Sequence, residues 1–251
     1  MSPLAALAIL AVGLAAGTVN TIVGSGSLIT FPTLLALGYP PVVANVSNTV
    51  GLVTGSISGA VGYRRELEGQ KGRLRALGVA SLAGGLTGGL LLLALPASVF
   101  RGVVPVLILL ACVLVALQPR LARRMAAGDR PRRAHGGPAL FGAIFLTGVY
   151  GGYFGAAQGV MLIALLGIFL DDSLQRLNAA KNVLAALVNG IAALLFIAFA
   201  DVDWAVAGIL AVGAVAGGQL GATLGRRIPP GWLRAVIVVV GVVVAVRLLV
   251  R

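Results

Sequence analysis

Uncharged apolar runs of roughly 20 residues recur along almost all of this 251-residue chain, and each is long enough to cross a hydrocarbon core about 30 Å thick. That length limits the fold before any motif is considered, because such runs are expected as transmembrane helices. Composition agrees. The chain is 59% hydrophobic and only 10% charged, whereas soluble domains are about half apolar and a quarter charged, so a water-soluble enzyme is excluded. Glycine reaches 36 residues, about twice the usual share, which suits closely packed membrane helices with local breaks. The single cysteine, Cys112, permits no internal disulfide and reads as apolar filler.

Six segments have the length of one crossing: 41–63, 74–95, 97–117, 173–200, 204–224 and 231–250. Two others, 3–38 and 138–170, are too long for one helix and too short for two. At 1.5 Å per residue each gives about 50 Å of helix, against the roughly 60 Å that two crossings need. Both carry small and polar residues at mid-length: Gly24, Ser25, Gly26 and Ser27 in the first, and Gly151, Gly152 and the run Gly155 to Gly159 in the second. Each is therefore expected as a broken or re-entrant pair of short helices. No positive residue precedes the first apolar run, so a signal peptide is not expected.

The formal charge of +12 has a topological reading that removes any need for nucleic acid. Arg64, Arg65, Lys71, Arg73 and Arg75 share one loop, and Arg120, Arg123, Arg124, Arg130, Arg132 and Arg133 share another. Both are cytoplasmic by the positive-inside rule, and two crossings separate them, as the rule requires. Arg176, Arg226 and Arg227 mark further cytoplasmic ends, which leaves the loop with Asp201 and Asp203 outside. Both termini then fall outside.

The halves match at an offset of 131–134 residues. Gly17 and Gly24 align with Gly148 and Gly155, Asn48 with Asn182, Gly84, Gly85 and Gly88 with Gly217, Gly218 and Gly221, and Pro96 and Arg101 with Pro229 and Arg234. The loop after the second segment is basic in one half and acidic in the other, so the repeats are expected to be inverted. The fold class is thus an all-α polytopic membrane protein of two inverted structural repeats, each a broken or re-entrant helix pair followed by three transmembrane helices. Its expected divisions are a first repeat at 1–118, a basic cytoplasmic linker at 119–137 and a second repeat at 138–251, forming one membrane domain. Secondary transporters share this architecture, with substrate held near the midplane at the repeat interface.

Polar residues gather beside the breaks. Half one offers Asn20, Gly24, Ser25, Gly26, Ser27 and Asn48 as site candidates, with Thr21, Thr30, Asn45, Ser47 and Thr49 nearby; half two offers Tyr153, Gly155, Gln158, Lys181 and Asn182, with Tyr150, Asn178 and Asn189 nearby. A half-helix starting at the Gly24–Ser27 cluster would present free N–H groups and its positive dipole end within the membrane, an arrangement suited to an anion. Taken singly, each glycine is equally explained by close helix packing. Lys181 lies eight residues into its segment, about 12 Å deep, where an ionisable residue is a functional candidate; the alternative is snorkelling to the interface. Asn48 and Asn182 could donate to the same anion or tie two helices together.

All seven acidic residues fall in loops or at segment ends. A coupling proton would then ride on the substrate, on Lys181, or on Asp171 or Asp172. No Ser/His or metal-ligand constellation lies within the spans and there is no Gly-x-x-x-x-Gly-Lys-[Ser/Thr] loop, so neither an enzyme nor nucleotide-driven transport is expected.

The stretch 17–38, GTVNTIVGSGSLITFPTLLALG, with 44–49, ANVSNT, resembles the first repeat of the sulfite exporter TauE/SafE family. The stretch 148–159, GVYGGYFGAAQG, with 178–182, NAAKN, resembles its second. The family's first motif commonly has consecutive glycines where this chain has GSGS. The resemblance implies a duplicated permease for sulfite, sulfonates or related small anions. The expectation is a secondary transporter in the cell membrane with a small anionic substrate, the bilayer as partner, no cofactor, and proton or sodium coupling left open, as is oligomeric state. An anion channel and a non-transporting membrane scaffold are the alternatives.

Overall fold

The computed structural model describes residues 1–126 and 137–224, together with 235, 238–239, 241–246 and 248 of the last apolar run. Nine α-helices are delimited among the described residues: α1 (Pro3–Ile22), α2 (Ser27–Ala36), α3 (Pro41–Gly62), α4 (Lys71–Ala94), α5 (Ala97–Ala126), α6 (Gly137–Tyr153), α7 (Gln158–Phe169), α8 (Leu174–Phe199) and α9 (Trp204–Leu224). A 3-10 turn at Arg64–Leu67 precedes α4. Five helices, α1, α4, α5, α8 and α9, are long and apolar enough to cross a membrane. Helix α3 is just as long, but it buries Asn45, Ser47, Asn48, Thr49, Ser56 and Ser58. Its polar content therefore serves the protein interior. Lipid is faced instead by exposed side chains such as Leu4, Leu7, Val106, Leu194 and Val212.

Both anomalous stretches are split helices. At the first break the N–H groups of Val23 and Gly24 both donate to the Val19 carbonyl; at the second those of Phe154 and Gly155 both donate to Tyr150. The two turns are built alike, 131 residues apart, and each needs a left-handed glycine, Gly24 at φ +88° and Gly155 at φ +77°. The first pair re-enters: α2 returns to the end where α1 begins, placing the Tyr39 hydroxyl 3.8 Å from the Met1 sulfur. The second does the same at the other end. Helix α6 runs alongside α4 in the same direction, and the chain after α7 comes back to the start of α4, where Asp172 meets Arg73 at 2.8 Å.

Glycine explains how the halves lock. Helix α4 lays Gly84 and Gly88 on the backbone of α6 at Phe145, Gly148 and Val149, while α9 lays Gly217 and Gly221 on α1 at Leu14 and Thr18. On their next faces, Gly85 packs on Val188 of α8 and Gly218 on Gly55 and Ser58 of α3. So the matched glycines of the sequence make matched contacts. The fourth helix of each half clasps the first helix of the other, and backbones approach closely because no side chain intervenes. Below the second break, Phe31, Phe100 and Phe154 form an edge-to-face aromatic cluster, with Phe31 and Phe154 centred 5.3 Å apart.

One end carries an ion-pair network. Asp172 receives Arg73 and Arg176 at 2.8 Å each, and Gln70 donates to the carbonyls of Glu66 and Arg176. This brings together two segments assigned to the cytoplasm by their charge. At the opposite end Asp203 receives the Val206 N–H at the start of α9 and donates its own N–H to Ser47. Helix α5 continues past its apolar run, through Pro119 to Ala126. Beyond the apolar run its Leu, Ala and Arg residues remain strong helix formers. The rest of the linker, Arg226, Arg227, Pro229 and Arg234 lie outside the described residues.

A Cβ at Gly88 or Gly217 meets backbone atoms, whereas one at Gly102 meets nothing within 4 Å. Gly88→Val and Gly217→Val should each destabilise by about 1–3 kcal/mol or more, and Gly102→Ala should be silent, as read by thermal unfolding in detergent. Partial burial works to raise the Asp172 carboxyl, but hydrogen bonds from Arg73 and the Ser173 N–H and the nearby arginine charges hold it below the usual range. A depressed folded pKa stabilises above the unfolded value and is lost as pH falls through the folded one. Asp172→Asn should therefore lower the melting temperature at neutral pH, and the gap from wild type should close below about pH 4.

Candidate functional site at the crossed helix breaks

The two breaks touch in the interior. The Gly159 N–H donates to the Gly24 carbonyl at 3.1 Å, and a Cβ on either glycine would meet the Cα of the other. Only two residues without side chains allow this approach, which joins the start of α7 to the turn before α2. Ala157 takes a left-handed φ of 60°, a conformation uncommon for a residue with a Cβ. The Tyr150 hydroxyl donates to the Ala156 carbonyl at 2.6 Å and pins the loop.

Each break is capped by the helix that follows the broken pair of the opposite half, α8 for the first and α3 for the second. The last turn of α1 leaves carbonyls without partners, and α8 supplies donors to them. The Lys181 ammonium donates to Asn20 at 3.0 Å and to Thr21 at 3.1 Å. Asn178 and Asn182 also donate to the Thr21 carbonyl. Reciprocally, Asn45 of α3 donates to the Tyr153 carbonyl at the end of α6, at 3.1 Å. Lys181 is 1% exposed. It does not snorkel; its charge faces the negative end of α1, where the macrodipole favours a cation.

The N-terminal sides differ. Neither α2 nor α7 has a side-chain cap, and among the described residues the N–H groups of Ser25, Gly26, Ser27, Ala156 and Ala157 have no acceptor. Two buried polar atoms beside them are likewise unpartnered: the Ser25 hydroxyl and the Gln158 amide nitrogen, in residues 1% and 3% exposed. Unsatisfied buried donors are uncommon in folded proteins and call for an explanation.

All eleven expected residues converge on the two breaks and the helices capping them, but they divide by use. Ser25 and Gln158 carry free donors. Asn20 donates to Ser56, and Asn48 donates to Ser27 while accepting from Thr30. Lys181 and Asn182 serve α1, and Tyr153 contributes its carbonyl to Asn45. Gly24 and Gly155 make the turns, while Gly26 is a packing position, since a Cβ there would meet the Ala16 carbonyl. Asn45 and Asn178, which the sequence places beside the breaks but outside the chosen site set, cap the two breaks. Their signal was available: both are Asn, 133 residues apart, within the repeat offset.

Against this geometry the comparisons are decisive. The profile described as Sulfite exporter TauE/SafE matches residues 9–248. The chain belongs to the TauE/SafE family. It is 31% identical to the probable membrane transporter protein YfcA of Escherichia coli K12 over 99% of this chain and 91% of that protein. A probable membrane transporter protein of Haemophilus influenzae is 26% identical over 85% of this chain and 82% of its own length. Another, ORF9 of a Sinorhizobium species, is 26% identical over 93% and 88%. No solved structure matches. This is a multi-pass membrane protein of a bacterial transporter family.

Lys181→Met removes the ammonium from the Asn20 carbonyl, which then has no partner. The expected cost is about 1–3 kcal/mol, read as a lower melting temperature of the purified protein, with Asn189→Ala as the reference substitution.

Proposed function

We propose that this TauE/SafE protein is a secondary transporter of small anions, sulfur oxyanions and sulfonates foremost, and that its substrate sits where the two breaks cross. The observation carrying this is the set of unpartnered donors at the starts of α2 and α7: the Ser25 hydroxyl, the Gln158 amide nitrogen and the backbone N–H groups next to them. Donors without acceptors, at two positive half-helix ends, favour a ligand made of acceptor oxygens. Lys181 contributes its charge through the field, with two of its three N–H donors held by the α1 carbonyls of Asn20 and Thr21. The family profile's description supports sulfite as one member of the substrate class.

In this reading the halves are inverted repeats forming a single membrane domain. The basic end with Arg73 and Arg176 is cytoplasmic, and the end with Asp203 is outside. Access alternates by movement of one half against the other. The cross-capping bonds and glycine contacts join the halves at the surfaces that such movement must slide or rock.

Counterflow in proteoliposomes separates carrier from channel, because only a carrier lets unlabelled anion outside accelerate the exchange of labelled anion inside. Ser25→Ala and Gln158→Ala should each weaken half-saturation by about tenfold, equivalent to about 1.4 kcal/mol per lost bond, while Asn189→Ala should not. Unchanged half-saturation in both variants would move the site away from the breaks.

A further inference from the structure

The two helix ends that face each other across the breaks are built alike but supplied differently. In half one the carbonyls of Asn20 and Thr21, the two residues after the doubly accepting Val19, hold the Lys181 ammonium. In half two the doubly accepting residue is Tyr150, so the corresponding carbonyls are those of Gly151 and Gly152. Both residues are buried, and among the described residues neither carbonyl receives a donor. Beside them Asn45, 1% exposed, spends its amide nitrogen on the Tyr153 carbonyl and leaves its Oδ1 buried with no partner. Three acceptor oxygens without donors thus belong to the last turn of α6 and to the side chain that bonds its final carbonyl.

We propose that this end of α6, at the carbonyls of Gly151 and Gly152 beside Asn45 Oδ1, binds sodium, in the position that the Lys181 ammonium fills in the other half. The chemistry selects the ion. All the ligands are neutral hard oxygens, which suit an alkali cation rather than a soft metal. Among the described residues no cluster of His, Cys, Asp or Glu could hold a metal ion, so no carboxylate offsets a second positive charge. Amide and carbonyl oxygens do not take up a proton near neutral pH, so the site suits an ion and not a proton relay. Broken-helix transporters bind coupling cations at such half-helix C-termini. Coupling of this ion to anion movement rests on the transporter reading above; the cation site itself does not.

The test is binding of radioactive sodium to the purified full chain in detergent. Saturable binding displaced by unlabelled sodium chloride, but not by choline chloride, is expected. Asn45→Ala should weaken it by more than about tenfold, and Asn189→Ala should leave it unchanged. Because Asn45→Ala also loses the bond to Tyr153 and can fail to fold, the wild type carries the decisive result: folded, monodisperse protein without saturable sodium binding overturns the site. Equal effects of the two substitutions overturn its location. Anion counterflow that proceeds in choline medium by a protein that binds no sodium removes the cation site and keeps the transporter. Sodium binding without any counterflow does the reverse.

Discussion

A helix that ends inside a membrane leaves polar backbone groups where no water can reach them, and this structure is organised around four such ends. In lipid an unsatisfied carbonyl or N–H costs several kcal/mol. The carbonyl ends of α1 and α6 are therefore met by Lys181, Asn178 and Asn182 in one case and by Asn45 in the other. In both cases the donor comes from the helix following the other half's break. Neither half can cap itself, so the halves are held together by the same bonds that permit the breaks. The glycine contacts between α4 and α6 and between α1 and α9 follow, since α1 and α6 must lie against the opposite half for their ends to be reached.

The N-terminal ends of α2 and α7 show the contrasting solution. Where the carbonyl end of α1 is met by three side chains and that of α6 by Asn45 alone, these ends keep donors in hand at Ser25 and Gln158. The apparent near-symmetry also contains a chemical difference: a fixed ammonium faces α1, and a neutral amide faces α6.

Much of this was legible from the chain alone. The lengths of 3–38 and 138–170, with their central glycines, gave two broken pairs, and the repeat offset matched Gly84 and Gly88 with Gly217 and Gly221 before their contacts were visible. Lys181 was legible as buried by its depth in the segment. Its bonding was not, because nothing local to α8 indicates that the carbonyls of Asn20 and Thr21 lie 3.0 and 3.1 Å from its nitrogen. For the same reason the sequence did not show that the Asn48 and Asn182 amides each place one N–H on a protein oxygen, those of Ser27 and Thr21. The extension of α5 past Pro119 was missed because the apolar run ends there while helix propensity does not.

What the sequence determined by itself was the solvent, the helices, the places where they break and the pairing of one half with the other. These depend on hydrophobic length, glycine position and charge bias, all of which are local or periodic along the chain. Only the tertiary structure decided which buried polar groups are already satisfied and which remain open. Hydrogen-bond satisfaction depends on residues about 105 to 160 positions apart meeting within about 3 Å, and no spacing in the sequence encodes that distance.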